Sequence, residues 1–104
     1  MNNDERGYNG WTNWETWCVN LWLDNDEYLS GEFAEWAREE LESAIEDDED
    51  DPRPSAAYSL GERIKDYVEE IQPEVTGMFA DLLTSALQAV NWKEIAEHYI
   101  RDVD

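Results

Sequence analysis

Apolar positions recur along this chain at helical spacing, and nowhere with the strict alternation of a half-buried strand. In the stretch 14–23, Trp14, Trp17, Cys18, Leu21 and Trp22 fall at i, i+3, i+4, i+7 and i+8, one wide face, with Val19 and Leu23 on other sides. Thr12 stands three residues before Glu15, a capping-box spacing that starts the helix near Asn13, and Asp24-Asn25-Asp26 ends it. A helix apolar around most of its circumference belongs in the middle of a bundle.

A second helix is predicted over 31–48, with Phe33, Ala37, Leu41 and Ala44 on one side and Trp36 and Ile45 at its borders. Glu32, Glu35, Glu39, Glu42 and Glu46 fall within about 80° of each other on the opposite side. The stretch 46–55 reads as an acidic linker broken by Pro52 and Pro54. A third helix carries Leu60, Ile64, Tyr67, Val68 and Ile71 and ends or kinks before Pro73. A fourth is expected from Glu74 to Val90 with Val75, Met78, Phe79, Leu82, Ala86 and Val90 inward. Asn91 and Glu94 repeat the capping logic and open a short last helix with Trp92, Ile95, Ala96 and Tyr99 inward. The expected fold is therefore all-α, a single-domain bundle of four to five short helices over 1–104. Residues 1–11 form a polar N-terminal arm that holds the turn signal Asn9-Gly10. A chain of 104 residues buries roughly two-thirds of its unfolded surface, enough for one core.

Charge changes the picture. Twenty-seven acids against seven bases, only two of them Lys, give a net charge of −20. Such a chain repels phosphate and anionic lipid, which argues against direct nucleic-acid or membrane binding and for a basic protein partner. The lone Cys18 can form no intrachain disulfide and offers no metal-ligand spacing. The start "MNNDERGYNG" has no basic or apolar signal region, and no apolar run reaches the length of a membrane span, so a cytoplasmic setting is expected.

Residues 24–51 hold fourteen acids against the single base Arg38. Glu35–Glu39 and Glu42–Glu46 are like-charge pairs at i, i+4, and residues 46–51 place anions at a helix C-terminus, where the macrodipole disfavours them. Local rules broken without local gain point to function or to environment. The candidate partner-binding residues are Glu32, Glu35, Glu39, Glu42, Glu46, Asp47, Asp48, Glu49, Asp50 and Asp51. One explanation is DNA mimicry: the stripe gains a carboxylate about every 5 Å of helix rise, against a phosphate about every 3.4 Å of a DNA strand. The protein would then inhibit a basic nucleic-acid-binding protein of host defence or regulation. The other is salt adaptation, with acids replacing Lys over the whole surface of a small structural or assembly protein from a halophile or its virus.

The tryptophan run admits two readings, a recognition surface or a core anchor. Aromatic grooves that bind single strands also carry positive charge, which this region lacks. Helical spacing behind a cap favours the core, with Trp17 and Leu21 as anchors. The segment "GYNGWTNWETWCVNLWLDND" (7–26) and the ending "LLTSALQAVNWKEIAEHYI" (82–100) resemble a family of small uncharacterised proteins carried by phages, plasmids and archaeal mobile elements. The resemblance implies a setting and no activity, and the acidic middle, 27–55, departs from it.

Chemistry is sparse. Asp24, Asp26 and Glu35 stand at positions 1, 3 and 12 of a calcium loop, but Tyr28 and Leu29 occupy positions 5 and 6, where a ligand and a glycine are needed. His98 is the only histidine, with Glu94 one turn earlier, and neither a Glu94–His98 nor a Cys18–His98 pair is accompanied by a phosphate loop or a nucleophile elbow. The sequence reads as a non-enzymatic protein without metal or cofactor.

Overall fold

Five helices form where an N-cap and an apolar periodicity coincide: α1 (Trp14–Asp24), α2 (Glu27–Glu46), α3 (Pro52–Ile71), α4 (Met78–Ala89) and α5 (Trp92–Arg101). The computed structural model describes residues 8–47 and 50–103. Among these no strand occurs, and a single backbone bridge joins Tyr8 to Trp11 across the turn at Asn9 (φ 49°) and Gly10 (φ 91°). Paired positive φ values are the signature of a tight Asn-Gly turn. Of the expected N-terminal arm, residues 8–11 are thus a closed turn, and its remainder lies outside the described residues.

Four helices begin on a side-chain cap. Asn13, Asp26, Asp51 and Asn91 accept from the backbone N–H of Thr16, Leu29, Arg53 and Glu94. α4 has no side-chain cap and starts after Gly77 at φ 64°. Several boundaries differ from the sequence reading. Asn13 rather than Thr12 caps α1. Asp26 stops the break between α1 and α2 from extending to residue 31, because its carboxylate supplies the missing acceptor for the next helix. Pro52 opens α3 instead of breaking a linker, since a first-turn proline lacks an N–H that has no intrahelical partner anyway.

The core is an antiparallel trio. Phe33, Ala37, Leu41 and Ala44 of α2 meet Ala56, Ala57, Leu60 and Ile64 of α3, and Trp92, Ile95, Ala96, Tyr99 and Ile100 of α5 close the third side. α3 packs along both neighbours. Arg53 at its start donates to the carbonyl of Ile100 at the end of α5 (3.1 Å), satisfying one of that helix's unpaired carbonyls. Gly61 backs directly onto the start of α5: an added Cβ would sit 3.1 Å from the backbone C and O of Trp92 and 3.2 Å from Lys93 N.

α1 is rotated from its expected orientation. Its buried residues are Thr16 and Leu23, with Val19 half-buried against the core. Trp14 (50% exposed), Leu21 (39%) and Trp22 (74%) face away from it, so the long apolar stripe is a surface and not an anchor. The cause is polar. The Thr16 hydroxyl donates to Asn13 Oδ1 (2.6 Å) and accepts from the backbone N–H of Asn91 (2.9 Å). Asn13 Nδ2 donates to the carbonyl of Ala89 (2.7 Å), and the Glu94 carboxylate accepts from the backbone N–H of Thr12 (3.1 Å). The two apparent capping boxes are one interlocked structure in which the starts of α1 and α5 exchange partners. The turn at 8–11 clamps it: Tyr8 lies against Trp17 (5.0 Å between rings), and Trp11 stacks on His98 (4.3 Å).

α4 is also turned. It touches α1 and no other helix, with Leu83, Ala86 and Leu87 half-buried, while Met78, Phe79 and Leu82, expected inside, are more than half exposed.

Two outcomes follow for stability. Gly61→Ala adds a methyl against backbone that cannot swing aside, and should cost about 1–3 kcal/mol although alanine favours a helix; a urea melt that matches the parent contradicts the close approach. Thr16→Val keeps the shape but strips the hydroxyl from Asn91 N–H, a loss of about 1–3 kcal/mol. Trp22→Ala should change stability by no more than about 0.5 kcal/mol. A reversed order of these two in thermal melts contradicts the rotation of α1.

Candidate functional site

The acidic surface is built on α2. With Phe33, Ala37, Leu41 and Ala44 buried, 100° per residue places Glu35, Glu39, Glu42 and Glu46 on the solvent side, and all four are exposed. Glu32 is half-buried at the edge, and Ile45, expected at the core border, is 58% exposed. Asp47 continues the run as the C-cap of α2, and Asp50 is exposed. Asp51 is occupied as the N-cap of α3. Asp48 and Glu49 lie outside the described residues.

Two arginines divide this surface. Arg38 pairs with Glu35 (2.6 Å), both exposed, on the same helix. Arg63 reaches from α3 to Glu39 (3.2 Å) and to half-buried Glu40 (2.9 Å), with its guanidinium 4.4 Å from the centre of the Trp36 ring. The planar, weakly hydrated guanidinium can stack on an indole and still donate along its edge. The sign purity that the sequence shows at Glu35–Glu39 is therefore softened by Arg38, three residues along, and by Arg63, 24 residues away. Glu42, Glu46, Asp47 and Asp50 have no ion pair among the described residues. The repulsion along α2 rises toward its C-terminus, where the helix dipole adds to it.

Potential chemistry sits at the α1–α5 edge. Asn20, Asp24, His98, Tyr99 and Asp102 line a cleft of about 90 Å³. The Tyr99 hydroxyl donates to Asp24 Oδ1 (3.3 Å), and burial, reinforced by the Asp24 charge, pushes its ionisation well above the ordinary tyrosine range. His98 is held flat against Trp11, and no hydrogen bond joins it to Cys18 among the described residues. The calcium-loop candidates are separately engaged: Asp24 with Tyr99, Asp26 as a cap and Glu35 with Arg38. Among the described residues no group of three or more His, Cys, Asp or Glu side chains could hold a metal ion, and no helix is long and apolar enough to cross a membrane.

A second surface lies on α1 and α4; the sequence reading weighed the α1 tryptophans as a recognition surface and set that aside for a core anchor, and took the α4 stripe as inward. Residues 8–23 and 75–92 each contain one acid, Glu15 and Asp81, and no base. Between them, residues 24–74 carry nineteen acids and four bases. Folding brings the two uncharged segments together as α1 and α4, and leaves Trp14, Trp22, Met78, Phe79 and Leu82 at least half exposed on them. The available signal was the charge gap itself, which lies on segments that need not be buried to be apolar.

A strongly acidic flank and a nearly uncharged aromatic flank, set on one helical core, define a small all-α protein whose distinctive features are surfaces. The chain belongs to the family of unknown function DUF7249, whose model matches residues 4–104. No curated protein and no solved structure matches it.

The Tyr99 environment sets a pH dependence. The folded state holds the phenolic proton more tightly than the unfolded chain, so this contribution is fully present below about pH 10 and is lost as pH rises further. Thermal melts should show a shallower alkaline decline in Tyr99→Phe than in the parent. Equal slopes would mean that Tyr99 is not buried against Asp24.

Proposed function

We propose that this protein is a non-enzymatic binding module whose acidic face, the exposed glutamates of α2 continued by Asp47 and Asp50, receives a basic protein. A DNA-binding protein of host defence or regulation has the required chemistry, since a surface that fits phosphates also fits a row of carboxylates. The resemblance of the two chain ends to mobile-element proteins supplies a setting for this reading and no activity.

The observation that carries this reading is the uneven distribution of charge along the chain, densest and unpaired among the described residues at the C-terminal end of α2. Salt adaptation would spread acids over every exposed surface, and strong salt favours apolar association, which penalises exposed side chains such as Met78, Phe79 and Leu82. Here fourteen of the twenty-seven acids fall within residues 24–51, while α4 carries Asp81 alone. On α2, Glu42 and Glu46 stand one turn apart, about 6 Å along the axis, and Asp47 follows. A carboxylate array with no ion pair among the described residues accepts Lys or Arg from outside without first breaking a pair. Glu35 and Glu39, already paired, define its edge.

Complementary charge acts mainly on encounter rate and partner choice. Capture from host lysate with the tagged chain should enrich basic proteins at low salt. The triple variant Glu42→Gln, Glu46→Gln, Asp47→Asn should lose them, while Glu69→Gln, Glu74→Gln, Glu97→Gln, of equal charge change, keeps most. Equal losses from both variants would show that net charge alone matters and would remove the α2 face as a site.

A further inference from the structure

We infer that the aromatic flank formed by α1 and α4 is a self-association surface, occupied by the same flank of a second copy of this chain. This goes beyond the acidic face and rests on different residues. On α1, Trp14, Leu21 and Trp22 point outward because Thr16 and Leu23 point inward. On α4, Met78, Phe79 and Leu82 lie within about 100° of one another by helical geometry, with half-buried Ala86 inside that arc and half-buried Leu83 and Leu87 beside it. The two stripes belong to touching helices. From their fractional exposures these six side chains offer on the order of 600 Å² of apolar surface, close to the roughly 800 Å² that each partner gives to a standard interface. That is the upper end of what a monomer normally leaves exposed in one patch.

Charge selects the occupant. Two chains of net charge −20 repel unless the acids stay apart, and the α1–α4 flank is where a copy can dock against few of them: Glu15 on α1, Asp81 on α4, and Asp24 at the end of α1, which is turned to Tyr99. A basic partner would find no carboxylate row here, and a nucleic acid no cation. Glu42, Glu46 and Asp47 belong to α2, which α1 touches, and α1 turns Val19 and Leu23 into the core and its aromatic stripe away from it. In a two-fold pair joined by the outer side of α1, at least one helix thickness, about 10 Å, separates each acidic face from the joint. This matches or exceeds the Debye length of about 8 Å at physiological ionic strength, so the repulsion is largely screened. An isologous contact of this kind closes on itself as a dimer and exposes two acidic faces.

The salt response separates this surface from the acidic one. Self-association through an uncharged apolar face should tighten as salt rises, whereas capture of a basic protein should weaken. Sedimentation of the full chain should show a monomer–dimer equilibrium below about 300 μM at 0.15 M salt, with the dissociation constant falling several-fold at about 1 M. Trp22→Glu and Phe79→Glu, each at an exposed position, should raise that constant at least about tenfold with the helical circular dichroism unchanged. Leu82→Gln provides a milder second variant should either glutamate perturb folding. Alkylation of Cys18, half-buried on the same outer side of α1, should slow as protein concentration rises. A chain that stays monomeric over this range at both salts, or a dimer indifferent to all three substitutions, overturns the inference. The Glu42, Glu46 and Asp47 variant should dimerise like the parent, so either proposal can fail without the other.

Discussion

The fold depends on one buried hydroxyl. Thr16 is completely enclosed, and its Oγ1 completes the N-terminus of a helix 75 residues further along the chain by accepting the Asn91 N–H. The opening amides of a helix have no partner within it, and an unpaired buried amide costs as much as a lost hydrogen bond. Thr16 points inward to meet the Asn91 N–H, which is part-buried at the α1–α5 joint. Once Thr16 is inward, 100° per residue turns Trp14, Cys18, Leu21 and Trp22 outward. The link from Asn13 to the Ala89 carbonyl fixes the end of α4 in the same knot. One polar constraint thus decides which residues of α1 are surface and where α4 can lie.

The rest of the molecule supplies a rigid frame for these surfaces. The α2–α3–α5 trio is close enough at Gly61 that backbone meets backbone, and Arg53 ties the far end of the same pair. Arg63 then joins α3 to α2 by lying on Trp36 and reaching Glu39 and Glu40. The frame consumes part of the acidic stripe and leaves its C-terminal part open. Different properties are kept on different helices: carboxylates on α2, and exposed aromatic and aliphatic side chains on α1 and α4. A chain with uniformly spread charge could use neither a selective acidic face nor an uncharged contact.

Much of the architecture was legible in local pattern. The apolar sides of α2 and α5, and of α3 as far as Val68, face the core, Ile71 at the end of α3 being exposed instead, and the end of α3 before Pro73 follows from backbone sterics. What could not be read was non-local. Periodicity identifies an apolar stripe but not the object it faces, and a threonine in that helix looks like a surface residue until its partner, 75 positions away, is known. The stripe on α4 failed for a related reason: Leu83 and Leu87 satisfy the body, leaving Met78, Phe79 and Leu82 without a layer above them. Within the acidic face, the five-glutamate periodicity was evident, while the Arg63 pairs were not, because they join residues 23 and 24 positions apart. Pro52 misled because a proline that interrupts a helix interior is welcome in its first turn.

The central claim, that Thr16 and Asn91 lock α1 with its aromatic stripe outward, is tested most directly by native-state amide exchange at Asn91. The residue is exposed and heads a helix, so its N–H would ordinarily exchange as a free terminal amide. If it is bonded to the buried Thr16 hydroxyl, it should exchange only with opening of the α1–α5 joint, as slowly as core amides such as those of Ile95 and Ala96. Exchange of the Asn91 amide at the rate of an unprotected loop, while Ile95 and Ala96 remain protected, would contradict it.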